Sequence, residues 1–132
     1  MHYGHANALR QAKACGDVLV VGLIPDHEIL AVKGPPVMNE QERYTMVEAV
    51  KWVDEVIRGV PYNLTADFLH ELFTKHRIDY VIHGDDPCLL PDGTDAYAEA
   101  KRCAEAYGWS GAVPLTRRRN PVAAPAGWGA SR

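Results

Sequence analysis

The sequence predicts an α/β domain, a parallel sheet with helices on both faces, entered without the strand that should feed its first helix. Three observations predict it. Short apolar or β-branched runs at 18–24, 53–57 and 80–83 alternate with segments of helical periodicity, the pattern of βαβ units. The first run, Val18-Leu19-Val20-Val21-Gly22-Leu23-Ile24, is apolar almost throughout, as in a strand covered on both faces. Turn residues follow the first and third runs, Pro25-Asp26 and Gly84-Asp85-Asp86-Pro87, and so punctuate the sheet.

Taken in order, the chain opens on His2-Tyr3-Gly4-His5 and a helix from about His5 to Cys15, with Leu9 and Ala12 on its apolar face and Gly16 as a C-terminal stop. After the first strand a short helix is expected through His27–Leu30. Lys33-Gly34-Pro35-Pro36-Val37 is a loop by composition. Asn39 reads as an N-cap with Glu42 as its capping-box partner, and the helix it opens carries Met46, Val47 and Val50 on one face. Val53–Ile57 reads as the second strand and Pro61-Tyr62 as a turn. Thr65 caps a helix with Phe68, Leu69, Leu72 and Phe73 at helical spacing, ending near His76. Tyr80–His83 is the third strand. A loop through Pro91-Asp92-Gly93 leads to a last helix from about Thr94 to Tyr107.

Composition narrows the function classes. The 132 residues, 47% hydrophobic and 23% charged, suit one globular domain. No apolar run is long enough to span a bilayer, and residues 1–16 lack signal-peptide patterning. Cys15, Cys88 and Cys103 have no CxxC spacing, which indicates neither a disulfide framework nor a zinc site, and a reducing, cytoplasmic location is the default. The four arginines of residues 109–132 face no acid, which leaves residues 1–108 at a formal −7 and argues against non-specific nucleic-acid binding. Residues 1–108 therefore read as the folded domain. Residues 109–132 read as a basic, Pro/Gly/Ala-rich tail without regular structure.

The chemistry concentrates at strand ends and at the first helix start. A helix start presents unpaired N–H groups and partial positive charge, which suit phosphate. Gly4 has no side chain to keep a phosphate from the backbone, and His2 and His5 can donate to its oxygens. In a parallel sheet, ligands bind at the carboxyl ends of the strands, where Asp26 and Asp85-Asp86 fall. Read by residue type alone, Lys33 is a solvated lysine, Arg43 a helix-surface charge, Asp26 a strand terminator, and Tyr44 and Trp52 core packing.

These residues also form an ordered set of motifs. His2-Tyr3-Gly4-His5 matches HxGH, Lys33-Gly34-Pro35-Pro36-Val37 a lysine loop, Glu42-Arg43-Tyr44-Thr45-Met46-Val47 an ERYxMV helix, Lys51-Trp52-Val53-Asp54-Glu55-Val56 a KWVDEV segment, and His83-Gly84-Asp85-Asp86 an HGxD turn. Over residues 1–102 the chain resembles the cytidylyltransferases of phospholipid synthesis, most closely the plant-like branch that uses phosphoethanolamine. The resemblance implies a Rossmann-like nucleotidyltransferase fold and transfer of a cytidylyl group from CTP to phosphoethanolamine, giving CDP-ethanolamine and pyrophosphate. It implies catalytic roles for His2, His5 and Lys33, and CTP contacts from Gly4, Asp26, Arg43 and Asp54. It places Asp85, Asp86, Tyr62 and Tyr97 around the ethanolamine ammonium, a carboxylate-and-aromatic setting that suits a cation. For Tyr97, packing on the sheet is the equal alternative. Mg²⁺ is expected on the triphosphate and water, with no protein metal site. Phosphocholine as substrate and a non-catalytic nucleotide-binding or assembly module are the alternatives.

Two departures from the family shape the expectations. The strand and GxFD-like turn that precede HxGH should already have passed at Met1, and the match fades after Lys101-Arg102, before any RTxGxST segment. The sequence therefore reads as truncated at both ends and impaired in activity, with strand edges left unpaired beside the missing central strand. The partners expected are CTP and phosphoethanolamine, together with a second copy or a full-length subunit. The resemblance also implies a peripheral position on an organelle membrane for the full-length enzyme.

Overall fold

The computed structural model describes residues 1–82, residues 89–99 and the backbone of residues 115–117. In chain order the elements are α1 (Tyr3–Lys13), β1 (Val18–Leu23), α2 (Asp26–Lys33), α3 (Glu40–Glu48), β2 (Glu55–Arg58), α4 (Ala66–Thr74), β3 (Tyr80–Val81) and β4 (Leu115–Arg117).

The α/β architecture follows the hydrophobic pattern. Leu19 and Val20, adjacent in β1, are both fully buried, so β1 is covered on both faces. Leu19 joins Ala12 and Ile82 on the α1 side. Val20 joins Val60, Leu64, Leu69, Leu72, Ile78 and Val81 on the α4 side. Leu72 has no exposed surface, and burying a leucine contributes about 1.5–3 kcal/mol. Gly22 lets β2's continuation close in: a Cβ there would lie 2.9 Å from Val60 Cγ2.

Local signals fix most element ends. Asn39 accepts from the Glu42 N–H at 2.9 Å while Glu42 accepts from the Asn39 N–H at 2.9 Å, as the capping box predicts. Thr65 Oγ1 accepts from the Phe68 N–H. Gly34, at φ +86°, stops α2 at Lys33, three residues beyond the expected end. Met46, expected on one face with Val47 and Val50, is 44% exposed. Thr94 does not open the last helix. Its N–H and hydroxyl both donate to Asp92 Oδ1 in a turn, Leu89 bridges to Asp95, and Asp95 Oδ1 accepts from the Tyr97 N–H. Helical backbone begins at residue 98.

The sheet departs from the expected all-parallel order. Its order is β2-β1-β4-β3. β1 and β2 are parallel, with Val20 opposite Glu55 and Leu23 opposite Arg58. β4 is antiparallel to both β1 and β3, which therefore run in the same direction. Leu115–Arg117 lies inside the stretch expected to be an unstructured tail, and a three-residue strand is too short to show a period. The edges expected to be bare are paired where β4 lies, over Val18–Val20 of β1 and Tyr80–Val81 of β3. A backbone row without partners is costly, and β4 supplies those partners.

Candidate functional site

The site is built from the first residue of α1 outward. His2 is the N-cap, with extended backbone, and its Nδ1 accepts from the Gly4 N–H at 3.0 Å. His5 Nδ1 accepts in turn from the His2 N–H at 3.4 Å. Two histidines three apart thus do what Ser and Glu do in an ordinary capping box, and α1 begins at Tyr3 rather than at His5. The rings lie 4.2 Å apart between centroids. Because each Nδ1 accepts, each ring is the neutral tautomer with its proton on Nε2, and that N–H is the donor the helix does not use. Gly4 serves the rings directly: a Cβ there would stand 2.8 Å from His2 Cε1.

Three observations place this turn at the carboxyl edge of the sheet. Lys13, in α1's last turn, donates to the Asp17 carbonyl just before β1, so the other end of α1, about 15 Å away, lies towards β1's carboxyl end. The His5 imidazole is held below its ordinary pKa by partial burial, then by His2, the amino-terminal ammonium and Lys33. Lys33 ends the helix that follows β1, so its charge reaches His5 from that same edge. Lys33 Nζ also lies 5.8 Å from the centroid of the Tyr62 ring. Tyr62 is buried, and its N–H donates to the Glu28 carboxylate. Lys33 and Tyr62 thus stand together, and the Lys33 charge is felt at His5. Nothing in the sequence pointed to Glu28, because its partner is a backbone N–H 34 positions away.

Asp26 and Arg43 are engaged with each other. Arg43 Nη2 donates to Asp26 Oδ1 at 2.6 Å, and the Glu40 N–H donates to Asp26 Oδ2 at 3.0 Å. These bonds, the arginine's first, hold the Asp26 carboxyl below the usual carboxylate range. Arg43 Nη1 donates to the Ile24 carbonyl at 2.7 Å.

Asp54 is engaged at the other end of β1. Its Oδ2 accepts from the Leu19 N–H at 2.7 Å and pairs with Lys13. Leu19 is the second residue of β1, so Asp54 lies at the amino edge, about 13 Å along the strand from Leu23 at the carboxyl edge. Its carboxylate thereby ties β1 to the end of α1. Tyr97 packs partly buried against the Val20–Leu72 core, and the Leu64 N–H donates to the Ala96 carbonyl, which brings the Tyr97 segment beside the one that follows Tyr62. Asp85 and Asp86 lie outside the described residues. Among the described residues, no group of three or more His, Cys, Asp or Glu is placed to hold a metal ion, and no helix is long and apolar enough to cross a membrane.

A helix start that gathers imidazole donors and a lysine at the carboxyl edge of parallel strands is the arrangement of a nucleotide-handling α/β protein. The chain belongs to the cytidylyltransferase-like family, which it matches over residues 1–122. It is 68% identical over 102 residues to ethanolamine-phosphate cytidylyltransferase of Arabidopsis thaliana, a stretch covering 77% of this chain and 24% of that protein. The proteins of the same name from Dictyostelium discoideum and Mus musculus are 54% and 51% identical over 102 residues, again 77% of this chain, and 27% and 24% of their own lengths. The matched stretch is about a quarter of each of these curated relatives.

Proposed function

We propose that this chain binds CTP and phosphoethanolamine for cytidylyl transfer, yielding CDP-ethanolamine and pyrophosphate. The observation that carries the reading is the reciprocal His2–His5 cap with the Lys33 charge in reach of His5. A phosphate oxygen of phosphoethanolamine attacks the α-phosphorus of CTP. The bond from that phosphorus to the α,β-bridging oxygen breaks, and the electron pair leaves with pyrophosphate. Charge builds on the non-bridging and leaving oxygens, and fixed donors aimed at them lower the barrier without a protein nucleophile. The two Nε2–H groups donate to these oxygens while Nδ1 of each ring stays locked to the backbone. Lys33 adds a point charge on a chain segment with few anchors. Gly4 gives the His2 ring its place over the helix start.

The residues at this turn are cationic or neutral donors, so they suit a metal-bearing triphosphate and not a bare cation; Mg²⁺ would arrive on CTP and supply charge neutralisation there. Tyr62 and Tyr97 would wall the ethanolamine ammonium, with Asp85 and Asp86 as its counter-charges. That the relatives are ethanolamine-phosphate cytidylyltransferases supports phosphoethanolamine as the acceptor.

Histidine ring NMR tests the reading. On adding CTP with Mg²⁺, the His2 and His5 ring signals shift while those of His27 and His70 stay in place. CDP-ethanolamine formed from phosphoethanolamine and labelled CTP disappears with His5→Ala. Unmoved His2 and His5 signals, or product formation indifferent to His5→Ala, overturn it.

A further inference from the structure

The Asp26–Arg43 pair closes residues 26–40 into a single excursion from the sheet. The chain leaves β1's carboxyl end at Ile24-Pro25, runs out along α2 to Lys33, turns through Gly34–Asn39, and returns at Glu40. Its two ends meet at one carboxylate, since Asp26 opens α2 and accepts from the N–H of Glu40, which opens α3. Arg43, one turn into α3, grips both sides of Pro25: the Ile24 carbonyl with Nη1 and the Asp26 carboxylate with Nη2.

Packing does little to hold this excursion. α2 buries no residue, Leu30 is 57% exposed and Val37 fully exposed. An element whose apolar side chains are at most half-buried leans on its polar ties. Its polar ties to the body include the clasp at its base, the Glu28 contact with the Tyr62 N–H and the Lys33 ammonium over the Tyr62 ring. The arginine is committed to the clasp: its side chain is 15% exposed, both terminal nitrogens donate within the protein, and Nε is buried without a hydrogen-bond partner. Lysine, a single point donor, cannot copy that fork.

We propose that Asp26 and Arg43 are positioning residues that clasp the base of the 26–40 excursion and thereby set where Lys33 stands. This rests on the phosphate-reaching role of Lys33, and it replaces the direct CTP contacts expected of both residues. They act on the nucleotide only through Lys33.

Amide hydrogen exchange and CTP titration of the full chain test it together. In Arg43→Met and Asp26→Asn, exchange across residues 27–38 rises at least tenfold while α4 and β1 keep their protection, and Arg43→Lys gives an intermediate rise. CTP affinity falls several-fold in Arg43→Met, but in a Lys33→Ala background Arg43→Met has no further effect. Weaker CTP binding with unchanged exchange in 27–38, an additive loss in the double variant, or exchange that rises equally in α4 overturns the clasp. Should the unmodified chain bind no CTP, the proposed function falls, and the exchange pattern alone still decides whether the clasp exists.

Discussion

The two ends of β1 each carry a carboxylate paired with a cation, and the pairs serve opposite purposes. At the amino end, Asp54 holds the Leu19 N–H and Lys13, tying α1, β1 and the approach to β2 into one block. At the carboxyl end, Asp26 and Arg43 hold the base of an excursion whose helix has no fully buried residue and which carries the Lys33 charge felt at His5. The chemistry of the pairs is alike. What differs is what each pair is fastened to: packed strand and helix in one case, a loosely anchored arm in the other. The amino end makes the fold, and the carboxyl end makes the site.

The largest effect should fall on both ends at once. Leu72→Ala empties the core beneath the middle of β1 and should cost about 2–5 kcal/mol in urea unfolding. Next, Asp54→Ala leaves the Leu19 N–H without its acceptor and should cost about 1–3 kcal/mol, with the CTP affinity of the folded protein unchanged. A CTP affinity that collapses in folded Asp54→Ala would erase the distinction between the ends. A smaller loss, below about 1 kcal/mol, is expected for Lys13→Met, because its ion pair is partly exposed.

The smallest effect is a pH dependence confined to the carboxyl end. The His5 pKa is lower in the folded chain than its unfolded 6.5, so the unfolded chain takes up the proton first. The stability this group supports is whole above pH 6.5 and is lost as the pH falls below it towards the folded value. Protonation also turns Nδ1 from acceptor to donor and breaks the bond from the His2 N–H. Unfolding curves between pH 7.5 and 5.5 should show this slope, and His5→Asn should flatten it.

Much of the fold was legible because its signals are local. The Asn39–Glu42 box, the Thr65 cap and the doubly buried run of β1 each sit within a few residues of sequence, and each is present. β4 was not legible, because three residues carry no period and their partners lie far off in sequence. The start of the last helix was placed too early because the Asp92 turn takes both the N–H and the hydroxyl of Thr94. At the first helix start, His2 and His5 act together as a cap, since their spacing is itself a capping-box spacing. That Asp54 sits at the amino end of β1 was not legible, because a motif carries residue identity but not which end of a strand it lies on. The Glu28 contact with Tyr62 has no sequence signal, since either end of it was just as well suited to solvent.

The division between the ends of β1 is tested most directly by titrating the folded chain calorimetrically with CTP and Mg²⁺ and comparing two lysine variants. Lys33→Ala should weaken binding about tenfold or more, as the loss of one charge-assisted phosphate contact requires, and Lys13→Ala should leave it unchanged. Equal losses in both variants, or a loss confined to Lys13→Ala, would contradict the account.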